Sequence, residues 1–392
     1  IPAGKQVYLH MYKPVNLADL SPLDALRPDD LRMLSIACDG LSVRADDFIL
    51  PHIGRLTGLK SLDLRHAGIT VRGAQHLRRL RSLTHLKVMT EDMLRNAMAP
   101  SRQMDDDCLP ILAGMESLEV LNLSSNGITD PGLAGLAGAK SLRDLKIWSN
   151  QLRGPGLAHL AEIPSLRSLG VGGMAMNDSS LRYLAGLKHL KRLDLGGMKI
   201  TDAGLVHLSG VTGLQELDLY NTLITERGTV HLRGLTSVKR LEVGKGPGNP
   251  TRIGEGALIP LANLTSLEHL DCSSVALTDA DLASLAGCTN LRFFCGDSSK
   301  TNPITDAGLA HLAELPNLEE LHIGGEGIGD KGMEHLAKLR NLRAVSLRGA
   351  PGLTNAGLAQ IGTMTALTRL DLSGSDAITI GGLSQLNGLT EM

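Results

Sequence analysis

Asp271, Cys295 and His322 occupy the same position in three successive sequence units. A thiol beside an imidazole is a nucleophile–base pair, and a carboxylate completes a triad when it orients the imidazole. Here the order across units is acid, thiol, imidazole, so the thiol is central and the acid cannot orient the ring. Nothing in the sequence supplies an enclosing pocket or an oxyanion element. Six of the 13 histidines (His76, His159, His207, His231, His311, His335) recur in one helix slot. Recurrence at the unit period marks an outward structural position, not a ligand set. The five cysteines (Cys38, Cys108, Cys272, Cys288, Cys295) are odd in number and lack a close CxxC pair. They describe neither a zinc site nor a disulfide framework, and they fit a reduced, cytoplasmic compartment. The stretch Gly244-Lys-Gly-Pro-Gly248 lacks P-loop spacing and its strand-to-helix setting. The expectation is therefore no catalytic residue, no cofactor, no metal and no enzyme activity in this chain. Its side chains must act by contact.

The elements that position those contacts follow from periodicity. Segments of the form LxxLxL begin at Leu59, Leu83, Leu118, Leu142, Leu166, Leu190, Leu214, Val238, Leu267, Leu291, Leu318, Leu342 and Leu367, with a less regular one at Leu31. Eight of the twelve regular intervals are 24 residues long, too exact a recurrence for an irregular core. About 14 units result. Leu at the first, fourth and sixth positions alternates with polar residues, the mark of a short strand with one buried face. A helix start follows, as in Thr201-Asp-Ala-Gly-Leu205 and Thr305-Asp-Ala-Gly-Leu309. Thr or Asp there can cap the free amides of the first turn, and the acid suits the helix dipole. One unit cannot bury its own apolar edges, so stability must come from stacking. A composition with 2% aromatic residues and 45 Gly suits such thin layers.

These residues resemble the leucine-rich-repeat superfamily over roughly residues 31–392. The ITDAGLxxLAxL wording is most similar to the cysteine-containing repeats of F-box proteins and to the GALA repeats of bacterial effectors. Cysteine stands in the slot of that class only at Cys288, and position nine runs Asn126, Asn150, Met174, Met198, Thr222, so no continuous asparagine ladder is expected. The resemblance implies an α/β solenoid, a horseshoe with a parallel concave sheet and short helices on its convex side. Cys295-Gly-Asp297 matches a short string of effector ubiquitin ligases by chance, because it ends a repeat strand. Residues 1–30 are expected to form an N-terminal cap, with Val7, Leu9 and Met11 turned inward. Residues 31–392 form the repeat domain, expected to be uncapped at its C-terminus and continued by further chain or covered by a partner.

Fourteen strands would give an inner arc of roughly 65 Å, suited to a protein domain and too open for a small-molecule substrate. Outward positions give the candidate partner-binding residues: Lys146, Trp148, Asp194, Glu216, Asp218, Tyr220, Glu242, Asp271 and Phe293. Trp148 either contacts a partner or covers Gly170 and Gly172 of the next strand. The acids from Asp194 to Asp271 form a ridge that would suit a basic protein partner. Three insertions, near Met89–Asp107, Gly244–Ile253 and Gly296–Pro303, leave on one edge, and the first carries Met89, Met93, Met98 and Met104. Residues 55–87 hold eight Lys/Arg against Asp63 alone. No aromatic residues interleave with them and net charge is −2, which argues against nucleic acid. No long apolar run or signal pattern points to a membrane. The expected function is a protein–protein recognition module, the targeting part of a bacterial effector, ligase or scaffold, cytoplasmic or delivered into a host cell. The alternatives are the recognition domain of an enzyme whose catalytic part lies outside this chain, and a structural or nucleic-acid-associated solenoid.

Overall fold

The structure is a computed structural model describing residues 7–12, 21–37, 47–65, 68–89, 104–173, 175–244, 253–296 and 303–389. It falls into two compact units, Ile1–Leu193 and Asp194–Met392. The strands of unit 1 are β1 (Tyr8–Tyr12), β2 (Met33–Ala37), β3 (Ser61–Arg65), β4 (His85–Met89), β5 (Val120–Asn122), β6 (Asp144–Lys146) and β7 (Ser168–Gly170). β8 (Arg192–Asp194) leads into unit 2. There follow β9 (Glu216–Asp218), β10 (Arg240–Glu242), β11 (His269–Asp271), β12 (Phe293–Cys295), β13 (Glu320–Ile323), β14 (Ala344–Leu347) and β15 (Arg369–Asp371). They form a parallel sheet in plain sequence order, the α/β solenoid that the period predicts.

Each layer buries the residues that the period selects. Leu214, Leu217, Leu219 and Ile224 are all at most 1% exposed, as are their counterparts Leu318, Leu321, Ile323 and Ile328. The return segment is a true α-helix where a Thr cap and good helix formers coincide, as in Asp306–Leu312 and Asn355–Ile361. Where Pro-Gly opens it, at Pro131–Leu136 and Pro155–Glu162, the chain tightens to a 3₁₀ helix. Among the described residues of unit 1, two asparagines form rungs. Asn126 donates to the Val88 and Leu123 carbonyls, and Asn150 to those of Leu123 and Ile147. In unit 2 the same slot holds Thr222, whose hydroxyl donates back to the Leu219 carbonyl.

The acid of the helix-start motif does more than favour its own helix. Asp330 Oδ1 accepts the Thr354 amide (2.8 Å) and the Gly357 amide (2.9 Å), and Oδ2 accepts the Thr354 hydroxyl (2.7 Å). Thr354 in turn caps its helix by accepting from Ala356 N–H. The same forward bond joins Asp47 to Thr70, Asp106 to Thr129, Asp202 to Thr225 and Asp279 to Thr305. The glycine three residues past the helix cap packs against the acid of the preceding unit. A Cβ on Gly357 would stand 2.5 Å from Asp330 Oδ1, and one on Gly332 2.6 Å from Asp306 Oδ1. Thr-Asp-x-Gly is thus an inter-unit latch.

Candidate functional site: the strand face

In unit 2 the strand register sets two outward columns side by side. Third positions run Glu216, Arg240, His269, Phe293, Glu320, Ala344, Arg369. Fifth positions run Asp218, Glu242, Asp271, Cys295, His322, Ser346, Asp371. The predicted neighbours Asp218, Glu242 and Asp271 are therefore adjacent. Asp194, Glu216, Asp218, Tyr220, Glu242, Asp271 and Phe293 are all half-buried.

The acids of this ridge carry a second duty that sequence reasoning missed. Asp218 Oδ1 accepts the Tyr220 amide at 2.7 Å, and Asp271 Oδ1 the Ser273 amide at 2.9 Å. Asp194 does the same for Gly196 at 3.2 Å. Each closes the turn at the end of its strand by bonding the backbone two residues on. The residue at the eighth position of many units then turns left-handed: Asn221 (φ 58°), Ser274 (66°), Gly197 (69°), Gly349 (70°). The signal was available as Asp or Asn three residues before a Gly, Ser or Asn. Glu242 is held by Arg240 at 2.6 Å, so the ridge is less negative than its letters suggest.

An aromatic platform lies beside the ridge. The Phe293 ring stacks on the His269 imidazole with centroids 4.0 Å apart and planes 7° from parallel, and stands 5.6 Å from His322. Burial and the neighbouring Arg240 hold the His269 pKa below the usual histidine range. His322 Nε2 meets Glu320 Oε1 at 2.8 Å, and Arg369 reaches the same oxygen at 3.2 Å. Arg348 Nε donates to Asp371 Oδ2 at 2.8 Å. Hydrogen bonds from Ser373 and Arg348 bring the Asp371 carboxyl to about 2. His322, Arg348, Arg369 and Asp371 bound an open cleft of about 680 Å³ lined also by Ser273, Cys295, Ser346 and Leu370. Within it the Cys295 thiol lies 3.2 Å from Ser273 Oγ, whose hydroxyl bonds Asp271, while the imidazole takes Glu320. The acid–thiol–imidazole column thus exists as a register, with Asp271 serving a serine.

In unit 1, Lys146 pairs in register with Gly170, and Trp148 spreads over that glycine. A Cβ on Gly170 would meet Trp148 Nε1 at 2.8 Å. The tryptophan is half-buried over the bare strand. Of the methionine-bearing insertion, Met93 and Met98 lie outside the described residues, as do residues 245–252 and 297–302 of the other two. Met104 is fully buried and its amide donates to Asn126, so this end of the insertion is core. Among the described residues no helix is long and apolar enough to cross a membrane.

A sequence model of the leucine-rich repeat matches residues 114–137, 186–209 and 314–337. No curated protein matches the chain. Among solved structures, an internalin from Listeria monocytogenes is 25% identical, with a TM-score of 0.58 and 81% of each chain covered. A leucine-rich-repeat protein of Leptospira interrogans is 20% identical, with a TM-score of 0.57 over 97% of this chain and 93% of its own. Repeat period, sheet order and these likenesses agree that the chain is a leucine-rich-repeat protein.

Proposed function

We propose that this chain is a protein-recognition module that seats a partner on the strand face of unit 2. The observation that carries this reading is the Phe293–His269 stack beside a cleft whose charged side chains are already held in place. Aromatic and arginine side chains dominate binding hot spots, and side chains fixed before contact lose less entropy on association. The cleft is open, which suits a macromolecular surface better than a small substrate. Asp194, Glu216, Asp218 and Asp271 would meet basic groups of that partner at the rim. In unit 1, Lys146 and Trp148 offer a second, smaller contact. The likeness to a Listeria internalin supports a bacterial recognition module, of an effector or scaffold kind.

The test is affinity capture with the wild type and with Phe293→Ala, Asp218→Lys and Trp148→Ala, each shown to keep the wild-type melting temperature. Phe293→Ala should weaken capture of a specific partner about tenfold or more. Asp218→Lys should weaken it further at low salt than at high salt. Equal recovery of every specific partner by all three variants sinks the reading.

A further inference from the structure

Unit 1 carries a surface of a different character. Of the eight basic residues within 55–87, the fold sends Arg65 and Lys87 to Asp63 on the strand face. It gathers four others, Arg55, Arg78, Arg79 and Arg81, around one open cleft of about 650 Å³ with Gly54 and Thr57. β3 and β4 pair residues 24 apart, and in the returns that precede them Arg79 is the counterpart of Arg55 and Arg81 of Thr57, all four lining the same cleft. Both returns fold alike, with Thr57 N–H donating to Arg55 O and Arg81 N–H to Arg79 O. Four guanidinium groups thus crowd two adjacent layers about 4.8 Å apart.

Among the described residues Arg55 alone of the four has a carboxylate partner, Asp24 at 3.1 Å, and that acid is shared with His52 at 3.0 Å. Arg78, Arg79 and Arg81 are exposed and have no carboxylate partner among the described residues. On the strand face of unit 2, by contrast, Arg240, Arg348 and Arg369 each lie on an acid of this chain. Favourable contact with the end of helix Val71–Leu77 accounts for Arg78, its C-cap residue, but not for Arg79 or Arg81 beyond it. Like charges held this close repel until an anion joins them.

We propose that this cleft binds an acidic segment of a partner protein, whose carboxylates pair with the arginine forks. Guanidinium matches carboxylate two bonds at a time. The lining offers no aromatic face on which a base could stack. Its charge is concentrated in one cleft and not drawn out along a phosphate track. The surface is distinct from the strand face of unit 2 and does not depend on that reading.

Fluorescence anisotropy with the full chain tests it, using labelled octaglutamate as the probe against single-stranded and duplex DNA oligonucleotides. Wild type should bind octaglutamate, and the affinity should fall with salt. The triple variant Arg78→Ala/Arg79→Ala/Arg81→Ala should lose roughly tenfold or more in affinity. Arg233→Ala, an exposed arginine of unit 2, should match wild type. The proposal is overturned if wild type does not bind octaglutamate, if the triple variant binds as well as wild type, or if DNA binds more tightly than octaglutamate at about 0.15 M salt.

Discussion

Gly197 follows β8 with φ at +69°, and a Cβ built there would meet nothing within 4 Å. Its need for glycine is purely conformational. Substitution by alanine should cost about 1 kcal/mol, the left-handed penalty less what alanine saves in the unfolded chain. Gly210 is equally open but does not have a left-handed φ, so Gly210→Ala should be neutral or stabilising by a few tenths of a kcal/mol. Urea midpoints of the two variants, one lowered and one not, separate backbone strain from space. The same scale governs His269. Its folded pKa is lowered, so the folded state disfavours the proton, and stability is full above the unfolded value near 6.5 and declines as pH falls below it. The His269 ring protons should therefore titrate below a random-coil histidine in an NMR series. Arg240→Ala, which removes a neighbouring cation, should move that midpoint upward. A midpoint at or above the random-coil value would contradict the buried, stacked environment.

Five of the described helix starts carry an element-scale device, the latch from one unit's acid to the next unit's threonine. Asp330→Ala would strand the Thr354 amide and hydroxyl and the Gly357 amide together, and should cost about 2–4 kcal/mol. Asp330→Asn should cost under about 1 kcal/mol, because an amide already plays this part elsewhere in the chain. There Asn355 Oδ1 accepts the Thr379 amide and its Nδ2 donates to the Thr379 hydroxyl. Gly332→Ala should cost about 1–3 kcal/mol by driving a methyl into Asp306. Denaturant unfolding of the three variants checks the order. Sequence reasoning placed the motif but read its acid as a cap, because Thr and Asp stand side by side in several units and their spacing within one unit hides a bond to the next. The turn-closing aspartates were hidden for a similar reason. An outward strand position reads as free surface, and only the left-handed residue after it shows that the carboxylate serves the backbone. Trp148 was readable as two alternatives, and Gly170 beneath it shows the covering contact.

At the scale of the whole molecule the period alone determined strand order, direction and inward face, because a fixed interval with strict Leu positions allows one parallel register. The insertions interrupt that interval, and there the sequence offered composition without position; Met104, counted with the insertion that leaves one edge, is core. In a stack of this kind each unit contacts chiefly its neighbours, the Arg369–Glu320 pair across β14 being an exception, so its stability is close to a sum of unit and neighbour terms. Damage should then stay local. In Asp330→Ala, amide hydrogen exchange should accelerate in the layers that the latch joins, around β13, β14 and β15. Amides of β5 and β6 in unit 1, whose bonds run among Leu86, Leu121 and Leu145, should keep wild-type protection. Gly332→Ala tests the same point one layer earlier, and the two exchange maps should be displaced by one unit. Uniform loss of protection across both units in either variant would mean that the chain opens as a single cooperative body, and the nearest-neighbour description would have to be given up.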